Sequence, residues 1–193
     1  MLTINKLIPG GRGLAPALVK RAASVELDWD VRQKSRFDTT DSLGRQLGVF
    51  LPRGNVVRGG DVLVAEDGSL ILVRAALQPV LVVKHCTDHG SPFDLLRAAY
   101  HLGNRHVQLE LNADHLKLEP DHVLADMLRQ MHLIVTEAQA AFEPESGAYA
   151  AEASAHSHAG HDHSHEHKAE AKHDHDHDHD HDHDHDHGHG HAH

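Results

Sequence analysis

The fold is decided by one stretch in the second half of the chain, which runs from Val80 to Val135: VLVVKHCTDHGSPFDLLRAAYHLGNRHVQLELNADHLKLEPDHVLADMLRQMHLIV. It opens with a continuous apolar run, Val80 to Val83, which is typical of a central strand covered on both faces. The residues Ser91-Pro92-Phe93-Asp94 then offer an N-cap, a proline at the first helical position and an acid in the first turn. Gly103 is placed to end this helix. The sequence therefore predicts a strand followed by a helix.

The remainder of this stretch adds two strands, a second helix and a last strand. Val107, Leu109 and Leu111 alternate with polar residues, which predicts a strand with these three side chains in the core. A turn at Asn112-Ala113-Asp114 leads to its partner strand around Leu116 and Leu118. Pro120 opens the second helix, whose apolar stripe consists of Val123, Leu124, Met127, Leu128 and Met131. Leu133 to Val135 supplies the last strand. The order β-α-β-β-α-β predicts a ferredoxin-like domain over residues 77–150, and the single cysteine of the chain excludes an iron–sulfur cluster.

Residues 1–76 show a different pattern, with short strands separated by turn residues and no convincing helical period. Val25, Leu27 and Trp29 alternate with acidic residues, as expected of a strand with one buried face. Further along, the segments 62–65 and 69–73 flank Glu66-Asp67-Gly68, which is typical of a hairpin. These features predict an N-terminal all-β domain and place the whole chain in the α+β class.

The last part of the chain, residues 151–193, is a tail rich in histidine and aspartate. From His156 onward it contains no large apolar residue, so it cannot bury enough surface to offset the entropy of ordering, and we expect it to be disordered. Neutral imidazole is a good ligand for Ni²⁺, Cu²⁺ and Zn²⁺. An affinity tag is the plainer interpretation, but tags are usually uninterrupted histidine blocks. The predicted metal ligands of the tail are His156, His158, His161, His163, His165, His167, His173, His175, His177, His179, His181, His183, His185, His187, His189, His191 and His193.

Composition limits the classes of function. The chain has 193 residues and a net charge of −11, most of it in the tail, and the rest shows no basic patch for nucleic acid or an anionic membrane. No apolar run is long enough to span a membrane and the start does not resemble a signal peptide, so we expect a soluble cytoplasmic protein. The sequence has no phosphate-binding glycine loop, no HExxH and no nucleophile beside a base, which predicts that it is not an enzyme.

Seven histidines precede the tail, and one of them, His106, is the strongest single candidate for a metal ligand. If Val107 and Leu109 face the core of a strand, His106 faces away from it. A lone exposed histidine is more often solvated than bound to metal, because no His-x-x-x-His or Cys-x-x-Cys pair stands beside it. A two-fold homodimer would nevertheless bring two copies together, and the tail could complete the coordination. Both interpretations stay open on these grounds.

The other candidates outside the tail are weaker. His101 and His122 lie near helix ends, where a capping role or solvation is more typical than ligation. His85, His115 and His132 are interpreted as structural or solvated. Cys86 follows the apolar strand and is most often a packed core thiol in such a place, with a ligand role as the less common alternative.

Four stretches carry a resemblance to a known family. They are LPRGNVVRGGDVL (Leu51 to Leu63), AYHLGNRHVQLEL (Ala99 to Leu111), DHVLADMLRQ (Asp121 to Gln130) and FEPESGAY (Phe142 to Tyr149), followed by the histidine-rich tail. In this order they resemble the UreE urease accessory proteins, which are nickel metallochaperones. The resemblance implies an N-terminal domain that contacts urease or its accessory proteins, and a C-terminal domain that binds metal and forms a homodimer.

The resemblance also assigns residues. It implies that His106, the histidine of GNRH, binds nickel at the dimer interface, and that His122 falls on a peripheral metal site in which Pro120 replaces a second histidine. His132 stands where glycine is common. The implied function is delivery of Ni²⁺ to the urease apoprotein, with the accessory GTPase UreG as a partner and the tail as a reservoir. Zn²⁺ and Cu²⁺ suit the same ligands, so nickel itself comes from the resemblance. A general store for divalent metals is the alternative, and a metal-dependent hydrolase is a third, less supported hypothesis.

Overall fold

The computed structural model of the chain describes residues 1–147. In these residues ten strands form two sheets, and four α-helices lie between the strands in the chain. The first six strands are β1 (Leu2–Ile8), β2 (Ala23–Leu27), β3 (Arg36–Thr40), β4 (Gln46–Phe50), β5 (Val62–Ala65) and β6 (Leu70–Ala75). They form one sheet in the order β2-β6-β5-β1-β4-β3, in which β1 pairs parallel with β4 and β2 pairs parallel with β6. The predicted β architecture of the N-terminal part is confirmed. The tail, residues 151–193, lies outside the described residues.

The hairpin predicted around Glu66-Asp67-Gly68 is confirmed. The backbone amide of Ala65 donates to the carbonyl of Ser69 at 3.0 Å, and β5 and β6 run antiparallel from there. Gly68 has a φ of +82°, in the left-handed region that glycine enters without steric cost. The three residues Glu66-Asp67-Gly68 were therefore sufficient to predict this turn.

Two short helices in this part were missed by the sequence analysis. They are α1 (Pro16–Arg21) and α2 (Trp29–Arg32). The predicted continuation of a strand through Trp29 is wrong, because β2 ends at Leu27 and the Asp28 side chain accepts a hydrogen bond from the amide of Val31 at 2.9 Å. Asp28 is thus the N-cap of α2. Trp29 is buried all the same, because the short helix turns its ring toward the second sheet.

The second sheet and its two helices have the predicted order. The elements are β7 (Gln78–His85), α3 (Pro92–Gly103), β8 (Glu110–Leu111), β9 (Leu116–Leu118), α4 (His122–Gln130) and β10 (Leu133–Ala140). The strands are antiparallel in the order β10-β7-β9-β8, which is the ferredoxin-like topology. The predicted fold class is confirmed. None of the helices in residues 1–147 is long and apolar enough to cross a membrane.

Strand β7 is covered on both faces, as its apolar run predicts. Leu81 and Val83 pack in one core with residues of α3 and α4, among them Leu102 and Leu128. On the other face, Val80 packs with Trp29 and Phe142. Since Trp29 belongs to the N-terminal part and Phe142 follows β10, this small second cluster joins the two sheets.

Two predicted core residues are in fact exposed. Leu111 is 48% exposed because it lies on the edge strand β8, and Val123 is 62% exposed because it sits in the first turn of α4, away from the sheet. The strand predicted from Val107 is also shorter than expected and begins only at Glu110. Leu109, just before it, is buried as predicted.

The segment that follows β10 ties the two parts together through buried polar contacts. Arg32 of α2 is fully buried, and its guanidinium donates to the Phe142 carbonyl at 2.6 Å and to Glu143 Oε1 at 2.6 Å. Arg58 donates to the Pro144 carbonyl at 2.6 Å and stacks over the Trp29 ring at 4.8 Å from its centroid. The FEPES segment, residues 142–146, therefore connects the two sheets through these hydrogen bonds.

Candidate metal site

His106 lies in the turn that ends α3. Its backbone amide donates to the Gly103 carbonyl at 2.9 Å, and the amide of Val107 donates to the Leu102 carbonyl at 3.1 Å. This pair of hydrogen bonds is the Schellman arrangement that closes many helices, in which one residue adopts the left-handed conformation. Here that residue is His106, with a φ of +57°.

The predicted exposure of His106 is confirmed, but the predicted reason is wrong. The side chain points outward because it caps a helix, since regular strand pairing starts only at Glu110. The left-handed position usually takes glycine, and a side chain there costs about 1–2 kcal/mol. Gly103 is the last residue of α3, as predicted, but it does not have a positive φ. Residues in strained backbone conformations cluster at functional sites, so the strain at His106 suggests a functional role.

His106 opens onto a polar cleft of about 540 Å³, which is lined by Gln33, Val107, Gln108, Glu119, Pro120, Asp121 and Leu124. Burial raises the pKa of Glu119, and the carboxylates of Asp30 and Asp28 raise it further. The carboxylate of Asp121 is engaged as the N-cap of α4, where it accepts from the Leu124 amide at 2.9 Å. The cleft is acidic and open to water, which suits the approach of a cation.

A single chain does not complete a metal site at His106. The only group of three His, Cys, Asp or Glu ligands that converge within residues 1–147 is Cys86, Asp88 and His89, and His106 is not among them. One imidazole binds a transition-metal ion weakly, so a tight site at His106 needs ligands from a second chain or from the tail.

The other predicted ligand of the described residues, His122, and the histidines interpreted as capping or solvated lie apart from His106. His122 is exposed in the first turn of α4 and does not line the cleft of His106, although its neighbours Pro120 and Asp121 do. His101 packs edge-on against Tyr100, with ring centroids 5.4 Å apart. His115 Nδ1 lies 2.7 Å from Asp114 Oδ1, a contact that lowers the pKa of Asp114. The tail histidines lie outside the described residues, so their part in metal binding stays a prediction.

The convergence of Cys86, Asp88 and His89 was missed by the sequence analysis. Their ligand atoms lie within 4.8 Å of one another, and Cys86 is half-buried at the end of β7 rather than packed in the core. Three residue types that bind metal within four positions of a loop were the available signal. It could not be used from the sequence, because the conformation of the loop decides whether the three side chains converge.

Helix α3, which precedes His106 in the chain, exposes an apolar face to solvent. Phe93, Leu96 and Tyr100 are 63%, 66% and 66% exposed, and their spacing of three and four residues puts them on one side of the helix. Continuous apolar patches of this kind on a protein surface mark contacts with other molecules. The described residues therefore include an uncovered apolar face on the helix that leads to His106.

Residues 1–147 thus combine a β domain, a ferredoxin-like domain and exposed imidazole side chains, which are the features of a protein that can bind metal ions at its surface. Comparison with known sequences identifies the family. The family model described as "UreE urease accessory protein, N-terminal domain" matches residues 4–76, and "UreE urease accessory protein, C-terminal domain" matches residues 78–193. The chain belongs to the UreE family of urease accessory proteins, which are not enzymes.

Curated relatives agree with this assignment. A urease accessory protein UreE of Methylibium petroleiphilum is 80% identical over 153 residues, which are 79% of this chain and 70% of the relative. That of Paracidovorax citrulli is 78% identical over 151 residues, 78% of this chain and 72% of the relative. That of Ralstonia nicotianae is 52% identical over 149 residues, 77% of this chain and 69% of the relative. The similarity thus covers most of this chain.

Proposed function

We propose that this protein is a nickel metallochaperone that delivers Ni²⁺ for assembly of the urease active site. In this proposal the ion is held by a pair of His106 side chains at a homodimer interface, and the histidine-rich tail is its reservoir. The observation that carries the proposal is the position of His106, which is exposed just after the C-terminal end of α3, the helix with the uncovered apolar face. The names of the relatives supply the link to urease.

A two-fold contact through α3 explains how one imidazole per chain becomes a site. Most homodimers are two-fold symmetric, so the same surface of both copies meets at the axis. An axis that passes near the C-terminal end of α3 would bring the two His106 rings together while Tyr100 and Leu96 become covered. The Schellman hydrogen bonds fix the backbone of each His106, so little entropy is lost when the rings bind an ion.

The ligand set suits transfer rather than storage at this position. Two imidazoles leave coordination positions open, so the next protein in the sequence of transfers can add its own ligands before the ion leaves. A closed thiolate cage would hold the ion too tightly for this. Zn²⁺ and Cu²⁺ suit the same imidazoles, and the choice of nickel rests on the family to which the chain belongs.

The proposal divides the work among three parts of the chain. Residues 1–76 contact partners, which are the urease apoprotein and its accessory proteins, especially the GTPase UreG. Residues 77–150 bind metal and dimerise, with His122 as a further, peripheral ligand. Residues 151–193 collect ions, and the whole acts in the cytoplasm. Without fixed structure, the 38 residues from His156 to His193 would span roughly 34 Å, far enough to reach a nearby dimer axis.

The dimer is testable at Leu96. Leu96→Asp should raise the dissociation constant of the dimer by about ten-fold or more, because the variant buries two unpaired like charges at the interface. Sedimentation equilibrium at several protein concentrations measures this. Val123→Asp is the matched control, since Val123 is 62% exposed on α4 and should tolerate the charge. An unchanged dimer in the Leu96 variant would place the interface elsewhere.

Removal of the tail separates delivery from storage. A chain that ends at Ala155 lacks 17 histidines, and we expect the number of bound nickel ions per dimer to fall several-fold. Urease activation should persist when nickel is ample and falter when it is scarce. Equilibrium dialysis gives the first quantity, and urease activity in cells at graded nickel concentrations gives the second. If activation is lost even with ample nickel, the general metal store becomes the better description.

A further inference from the structure

A cluster of side chains of the types that bind metal lies in the loop between β7 and α3, at the other end of α3 from His106. Cys86 Sγ and His89 Nδ1 are 3.7 Å apart, and an oxygen of Asp88 lies within 4.8 Å of both. Asp88 and His89 are exposed and Cys86 is half-buried, so an ion can reach all three from solvent. Sulfur, nitrogen and oxygen ligand atoms therefore lie close enough together to share one ion.

The conformation of this loop is fixed by its backbone. The amide of Gly90 donates to the Cys86 carbonyl at 2.9 Å, which folds residues 86–90 into one tight turn. A Cβ at position 90 would lie 2.8 Å from that carbonyl oxygen, so only glycine closes the turn. On the far side, a capping box between Ser91 and Asp94 starts α3 at once. The cluster is thus held between a strand and a helix.

We propose that Cys86, Asp88 and His89 form a separate metal site for a thiophilic divalent ion of the Zn²⁺ type. One thiolate, one imidazole and one carboxylate make a mixed set that Zn²⁺ accepts with tetrahedral geometry, and a fourth position remains for water. On binding, the Cys86 thiol releases its proton to solvent as the metal–sulfur bond forms. The negative charge of Asp94 offsets the positive end of the α3 dipole near the ion.

This site is independent of the one proposed at His106. The two are separated by the 12 residues of α3, which is about 18 Å of helix, so they cannot share an ion. A thiolate favours softer ions than an imidazole pair does. The protein would therefore bind zinc-type ions at one end of α3 without occupying the imidazoles at the other. The inference does not rest on the function proposed above.

The single cysteine makes the site observable in the full-length protein. Co²⁺, which replaces Zn²⁺ in such sites, should give a thiolate-to-metal charge-transfer absorption band, and tail imidazoles cannot contribute to it because Cys86 is the only thiol. The intensity of the band should saturate at the value for one thiolate-bound ion per chain, because ions held by the tail do not add to it. The band should disappear when Zn²⁺ is added in excess and be absent in Cys86→Ser. His89→Ala and Gly90→Ala should each weaken the Co²⁺ affinity read from the band by about ten-fold or more, the first by removing a ligand and the second by opening the turn.

Two controls make the result decisive. His115→Ala removes another histidine that is paired with an aspartate, and it should leave the band unchanged, as should His106→Gly. If the wild-type protein gives no thiolate band, the site does not exist. If the band persists with the same affinity in both His89→Ala and Gly90→Ala, then Cys86 binds metal with ligands from elsewhere, and the proposed cluster is wrong.

Discussion

Replacement of His106 by glycine should remove tight nickel binding and at the same time stabilise the fold. In a chain that ends at Ala155, where the tail cannot mask the result, we expect the affinity of the tight site to fall at least about a hundred-fold, since loss of an outer-shell partner alone costs up to that much. The imidazole pair would be gone from both protomers. Isothermal titration calorimetry with Ni²⁺ measures the affinity and the number of ions per dimer.

The gain in stability follows from the backbone of His106. Its φ of +57° costs about 1–2 kcal/mol for a residue with a Cβ, and glycine removes this cost. Glycine also destabilises the folded state by roughly 0.5–1 kcal/mol, because its unfolded chain has greater conformational freedom. The net gain in the free energy of unfolding is therefore up to about 1.5 kcal/mol, which urea denaturation measures. Stability and nickel affinity are thus expected to change in opposite directions at one residue.

His132 offers a matched control for this experiment. It follows α4 as His106 follows α3, is exposed, and has a φ of +62°. His132→Gly should therefore bring the same gain in stability with no loss of nickel affinity. Equal nickel affinity in both variants would contradict the role of His106, and a loss of stability in both would contradict the account of strain.

Replacement of Arg32 by methionine should destabilise the protein by at least about 2 kcal/mol, because it removes several hydrogen bonds made by a buried charged group, each worth about 1.5–3 kcal/mol. Arg32 is fully buried, and burial lowers the pKa of its guanidinium while Glu143 opposes this. Arg32 also donates hydrogen bonds to the Leu27 carbonyl at 3.1 Å and to the Phe142 carbonyl. Methionine has no N–H group and would remove both hydrogen bonds. Urea denaturation of the full chain gives the change in the free energy of unfolding.

An exposed ion pair provides the comparison for Arg32. Arg129 contacts Asp126 at 2.9 Å on α4, and both side chains are more than half exposed. Solvent screens such pairs, so Arg129→Met should change stability by no more than about 0.5 kcal/mol. A similar small change for Arg32→Met would mean that Arg32 contributes little to holding the two sheets together, and that other contacts, such as the cluster of Trp29, Val80 and Phe142, hold them.

Local patterns were enough to predict the parts of this fold that depend on neighbouring residues. The hairpin at Glu66-Asp67-Gly68 and the start of α3 at Ser91 were readable because turn and capping chemistry acts within a few residues. Trp29 shows where this fails. Its place in an alternating pattern indicated a strand, but the Asp28 cap ended the pattern one residue earlier. Short helices give too few residues for a period to be recognised.

The amino-acid sequence by itself determined the order of strands and helices in the ferredoxin-like part, the β architecture of the N-terminal part and the histidine-rich tail, because periodicity, turn residues and composition are properties of short segments. Only the tertiary structure decided how His106 is held, as a left-handed helix cap rather than a strand residue, and that Cys86, Asp88 and His89 converge. It also decided that Arg32, a residue type seldom buried, is fully enclosed by partners 110 and 111 positions away. Contacts of this kind depend on which distant segments the fold brings together, and no local pattern contains that information.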